Sequence, residues 1–206
     1  MFVEIVAEIE RRIGNHTKVR VVPWSRAQYM ATDKTTKAII FPMARLASRE
    51  DKYIWIAKIF PARFAFCSDR YPNLNIHTAR KYRIAVHENA PPELFLKEKG
   101  YSKLLPVPFG VGTIPKMLDL GRVDAWFSEV SLIDYGVQGT PLKGKVECGP
   151  NVFEVWQYIA GSKNISDEVV IAYQKAVKDM HAEGVIERIM LKYLSPKAIT
   201  PFEQVD

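Results

Sequence analysis

The sequence contains no uninterrupted apolar run of about 18 residues, so nothing in it reads as a membrane-spanning helix. Nor does it open like a secretory signal: MFVEIVAEIERRIG carries carboxylates where a signal has lysines and then an uncharged apolar stretch. Cysteine is scarce. With only Cys67 and Cys148, a cysteine-rich scaffold and an all-cysteine zinc site are excluded, which leaves two buried thiols or one long-range disulfide; free thiols are the expectation. The four histidines, His16, His77, His87 and His181, share no metal-ligand spacing, and no metal or other cofactor is expected. A phosphate loop, a GxGxxG fingerprint, a GxSxG elbow and an HExxH pair are all missing. GVG at 110–112 lacks a third glycine and reads as a turn. Concentrated basic charge is absent too. The formal net charge is +6, yet no Lys/Arg run exceeds two residues, so nucleic-acid binding is not expected.

What is present is a chain of 206 residues, 48% of them hydrophobic, enough for one large or two small packed domains. Phe2, Ile5, Val6, Ile9 and Ile13 share one face of a predicted first helix that Gly14 stops. The β-branched alternation of residues 18–22 (KVRVV) predicts a strand, residues 26–34 a helix, and residues 37–41 (KAIIF) a short buried strand. This β-α-β rhythm implies parallel pairing. Residues 59–67 read as extended. A second rhythm follows: a strand at 82–86, a polar loop at 87–90, a helix at 91–99 and an extended piece at 104–107. Next come a helix capped by Thr113, and a strand at 123–127. Val146 and residues 151–160 read as extended. Ser166 is a predicted cap for a helix with Val169, Tyr173, Ala176, Val177 and Met180 inward; beyond Gly184, Ile186, Ile189, Met190, Tyr193 and Leu194 form the last inward stripe.

Two residues stand where such scaffolds hold ligands. Arg49 lies on a polar turn within residues 41–55 (FPMARLASREDKYIW), just past a strand end, and its guanidinium suits a carboxylate held by two parallel hydrogen bonds. Glu129 lies just past the strand at 123–127, the usual ligand position in parallel α/β sheets. With Asp124 nearby, Glu129 fits either a general acid of raised pKa or a solvated carboxylate at a helix start.

Five stretches in order, PWSRA at 23–27, FPMARLASRED at 41–51, YRIAVHENAPPE at 82–93, LGRVDAWFSE at 120–129 and the ending at 157–194, resemble the periplasmic solute-binding proteins of amino-acid ABC transporters, bacterial extracellular solute-binding protein family 3. The resemblance implies an α/β, two-lobed periplasmic-binding-protein-like (type II) fold, each lobe a mostly parallel sheet flanked by helices. Lobe 1 would take residues 1–58 and 159–206, without the family's first strand, and lobe 2 residues 64–153. Hinge strands are expected near 59–63 and 154–158. By the same resemblance Arg49 would grip a ligand carboxylate and Glu129 an ammonium group, in an interlobe cleft. Arg45 would widen anion recognition or pair with Glu50, and Trp24, Phe41 and Trp55 are candidates for an apolar cleft wall or for the core. Ala90 and Pro91 stand where the family has hydroxyl residues, and Glu129 where Asp is commoner.

The implied function is reversible binding of a small carboxylate-bearing solute, without enzymatic chemistry. Delivery would be to ABC permease subunits, in a periplasmic or other extracytoplasmic setting. The alternatives on the same scaffold are a cyclohexadienyl dehydratase-like enzyme, with Glu129 as its acid, and the ligand-sensing domain of a signalling protein.

Overall fold

The computed structural model of the chain describes residues 1–15, 17–88, 90–109 and 112–199. His16, and Gly110 and Val111 of the GVG turn, lie outside the described residues. The chain divides into two compact units, one built from Met1–Pro61 and Val155–Tyr193, the other from Ala62–Glu154 and Leu194–Ala198.

In the first unit, α1 (Phe2–Arg12) buries Ile5, Val6 and Ile9, each side chain contributing about 1.5–3 kcal/mol. Helix α2 (Trp24–Thr32) starts behind Pro23 and sends Ala31 into a small core with Ile40, Met43, Tyr53 and Ala160. Strand β1 (Ile39–Ala44) supplies two of those residues. The predicted strand at 18–22 does not form: the segment pairs with no strand among the described residues, and Val21 is 88% exposed. β-Branched alternation favours a pleated, half-buried surface only where a neighbouring strand exists to pair with. Accordingly β1 finds an antiparallel partner in β7 (Phe153–Gly161), where the β-α-β rhythm implied a parallel one. The unit is completed by α6 (Asp167–Ala182) and α7 (Val185–Leu191). Their stripes are inward as predicted except at Val169, which is half-buried, and at Tyr193, which is 37% exposed and donates its hydroxyl to Glu4.

Strand β2 (Ile54–Ser68) is longer at both ends than its prediction and runs by chain connectivity into the second unit. There β3 (Ile84–His87) lies parallel to both β4 (Leu104–Val107) and β5 (Ala125–Glu129). The far part of β2 pairs antiparallel with β5, setting Phe64 opposite Glu129, and with the short β6 (Glu147–Cys148). Helices α3 (Pro91–Glu98), α4 (Thr113–Asp119) and α5 (Val130–Val137) follow β3, β4 and β5. Thr113 is the first residue of α4 rather than its cap. That position belongs to Gly112, whose φ of 90° L side chains rarely adopt. Ser166 does stand at the cap of α6, although its side chain makes no capping hydrogen bond.

The expected free thiols are not there: Cys67 and Cys148, opposite each other in β2 and β6, form a disulfide. Adjacent extended strands bring the two side chains within bonding reach, a fact of register that residue spacing does not reveal.

Candidate functional site

Arg49 closes a short 3-10 turn, Ala47–Arg49, whose backbone is fixed by Arg49 N–H donating to Leu46 carbonyl at 2.8 Å. Its Nη1 donates to the Ala44 carbonyl at 3.1 Å and contacts Met43 Sδ at 3.4 Å. Met43 is fully buried, so the guanidinium is anchored on the core while remaining half-buried itself. No carboxylate pairs with it among the described residues. It lines an open pocket of about 900 Å³ with Gln28, Ser48, Tyr53, Lys163 and Asn164. Burial pushes the Tyr53 phenol pKa up while the nearby Arg49 charge opposes that rise. Asp33 and Asp51 line the same pocket. The Asp33 carboxylate is occupied by the Thr35 N–H and the Thr35 and Thr36 hydroxyls, which hold its pKa below the usual carboxylate range.

Arg45 is engaged elsewhere. It pairs with Glu50, and its guanidinium sits 5.4 Å from the ring centroids of both Trp55 and Tyr158. Trp55 also meets Tyr53 and Tyr158 edge to face, and its buried indole N–H has no hydrogen-bond partner among the described residues. Trp24 is 43% exposed at the start of α2, and Phe41 is half-buried in β1; neither lines the Arg49 pocket.

In the second unit Glu129 ends β5 and caps α5 through its backbone. Its carboxylate accepts the Ser131 hydroxyl and has no cationic partner among the described residues. Burial pushes its pKa up, against the smaller opposing effect of the Ser131 hydrogen bond. A carboxyl whose folded pKa lies above its unfolded value binds more protons in the native state, so its contribution to stability falls as pH rises from the ordinary carboxylate value through the raised one. Glu129→Gln is therefore expected to raise the melting temperature of the unliganded protein at neutral pH, with the gain vanishing at acid pH. Melts across that range check it. A variant equally or less stable at every pH would overturn it.

Asp124 has a structural role. It accepts Arg83 N–H at 2.8 Å and Arg83 Nη2 at 2.7 Å, contacts that depress its pKa. Asp124→Asn is expected to cost about 1 kcal/mol of stability, since Arg83 is half-exposed and solvent screens the pair, and to leave ligand response intact. A combined melt and ligand titration checks both.

Ala90 caps α3 with extended backbone and Pro91 takes the first helical position, as predicted. Neither Pro91 nor Pro92 has an N–H, and the N–H groups of Glu93 and Leu94 already donate to the Ala90 carbonyl at 3.0 and 3.3 Å. The first turn of α3 thus has little to offer an anion, although a bare helix start ordinarily favours one.

Residues that sequence reasoning missed include Tyr53, Gln28 and Asn164, polar groups scattered through α2 and loops, without local signal. His87 was read as part of a polar loop; it is the last residue of β3 and only 5% exposed. Its ring packs 4.5 Å from Phe109 and 5.7 Å from Trp126, and burial holds its pKa down. Gly136 of α5 lets Trp126 approach, since a Cβ there would stand 3.0 Å from the indole.

No sequence-family profile matches the chain, and no curated protein does. Among solved structures it is similar to the probable amino-acid ABC transporter extracellular-binding protein ytmK from Bacillus subtilis, at 17% identity and a TM-score of 0.80, covering 95% of this chain and 87% of that one. The fold is that of the periplasmic binding proteins. A ligand-binding core from Nostoc punctiforme in complex with (L)-glutamate shares this fold at 18% identity and a TM-score of 0.74, over 95% of this chain and 91% of its own. So does a histidine kinase sensor domain with similarity to periplasmic binding proteins, at 16% identity and a TM-score of 0.73, over 94% and 85%. Within this fold, Arg49 has no carboxylate partner among the described residues and Glu129 is a half-buried carboxyl of raised pKa, one on each unit.

Proposed function

We propose that the protein reversibly binds a small carboxylate-bearing solute, an amino acid or a related compound, and hands it to the permease subunits of an ABC transporter. The observation that carries this reading is Arg49: a guanidinium anchored on the core, without a carboxylate partner among the described residues, at the wall of a pocket. A planar carboxylate fits its remaining donors. Glu129, whose pKa burial pushes up, is the residue we assign to an ammonium group, and a cation beside it would bring that pKa down. Arg45 adds a cation already balanced by Glu50.

Binding proteins for amino acids among the similar structures support the solute class. The Cys67–Cys148 disulfide supports an extracytoplasmic setting, where thiols oxidise. Among the described residues no helix is long and apolar enough to cross a membrane. A thermal-shift screen of amino and carboxylic acids tests the proposal, and a library without any stabilising compound would sink it. The dehydratase reading predicts turnover of prephenate or arogenate; the purified protein is expected to convert neither.

The histidine kinase sensor domain among the similar structures favours one second reading, a ligand-sensing domain. The coding sequence around this segment separates the two, since a kinase or cyclase domain in the same chain supports the sensor.

A further inference from the structure

A second pocket, of about 530 Å³, lies wholly in the second unit and shares no residue with the site described above. Arg80, Lys99 and His77 line it with Phe95, Asn75 and Asn151, and no acidic residue does. Nearby, Arg83 pairs with Asp124, and Lys97 with Glu93. Arg80 and Lys99 pair with no carboxylate among the described residues.

Both walls are held in place. Asn75 Oδ1 accepts the N–H groups of His77 and Thr78 at 2.9 and 3.0 Å, which fixes the turn leading to Arg80. Arg80 Nη2 donates to the Lys99 carbonyl at 2.8 Å, with its guanidinium 4.9 Å from the Tyr101 ring centroid. The Lys99 ammonium stands 5.6 Å from the Phe95 ring centroid. Opposite, the segment carrying Asn151 is tied to β2 by Gly149 N–H to the Phe66 carbonyl at 2.9 Å and Val152 N–H to the Phe64 carbonyl at 2.8 Å, just beyond the disulfide. Gly149 lies so close to Leu74 that a Cβ would stand 2.0 Å from the Leu74 carbonyl oxygen, so only glycine lets these two walls meet.

From this we infer that the pocket is a second ligand site, specific for a small oxyanion, phosphate or carboxylate, held by Arg80 and Lys99. A guanidinium and an ammonium lining one pocket that no acidic residue lines supply charge-assisted donors, and the lining asparagines supply neutral ones. The inference is independent of the Arg49 reading, because the two pockets lie in different units.

The test is a titration of the full chain with inorganic phosphate and, separately, citrate, at constant ionic strength against chloride, followed by backbone and arginine Nε–H resonances. Saturable shifts centred on His77, Arg80 and Lys99 are expected with at least one of the two anions. Affinity should fall about tenfold or more in the Arg80→Gln/Lys99→Gln double variant, the loss of one charged hydrogen bond or more. Arg49→Ala should leave it unchanged. Shifts that match those of chloride, never saturate or persist in a folded double variant would overturn the site. The amino-acid response of Arg49→Ala reports on the other pocket, so the two failures are distinguishable.

Discussion

Arg49→Ala is expected to remove most of the thermal stabilisation that an amino or carboxylic acid gives the native protein. Hydrogen bonds to a charged group are each worth about 1.5–3 kcal/mol, so losing the fork weakens binding by roughly 2–4 kcal/mol, about 30-fold to several hundredfold in Kd. At a ligand concentration about 100 times the native Kd, the stabilisation of about 2.7 kcal/mol then falls to about 0.9 kcal/mol at the thirtyfold end and to about 0.1 kcal/mol at the other. The variant itself should fold, because among the described residues the hydrogen-bonding contacts that go with the side chain are those to the Ala44 carbonyl and the Met43 sulfur. Arg49→Lys keeps the charge but not the planar fork and should fall between the two. Arg45→Ala should matter less, since its guanidinium is already spent on Glu50. Calorimetric titration of the three variants with whichever acid stabilises the native protein decides the matter, and an unchanged affinity in Arg49→Ala would remove this arginine from the site.

How much of this was legible beforehand differs by the range of the interaction. Helices α1, α3 and α6 were readable because apolar spacing, Pro at the first turn and a Gly stop are local signals. The segment at 18–22 failed because strand formation needs a partner, and its alternation says nothing of whether one is present. Arg49 and Glu129 were identifiable by their place after strands, but their states were not. That Arg49 rests on Met43 and that Glu129 has only Ser131 for company depends on tertiary packing. The Arg80 pocket was invisible for the same reason, since its walls come from residues 75–80, 95–99 and 150–152. The disulfide belongs with these long-range facts.

Removing that disulfide, by Cys67→Ser with Cys148→Ser or by reduction, is expected to lower stability more than any other single change to the second unit. The bridge closes a loop with a sequence separation of 81 residues. In the chain-entropy account a loop of that size restrains the unfolded ensemble by about 4.5 kcal/mol, with native-state relaxation as the correction. For a chain of this size that corresponds to a melting temperature lower by roughly 10 °C or more. The loss should also reach function locally. Gly149 and Val152, which fasten the wall of the Arg80 pocket to β2, follow directly after Cys148, so their amides should exchange faster with solvent in the serine variant. Amides of β1 in the first unit should keep their protection except where global unfolding governs exchange. Melts with and without reductant, read beside hydrogen exchange of the two units, check both parts. A serine variant melting within about 2 °C of the native protein would mean that strand pairing between β2 and β6 holds the segment without the bond.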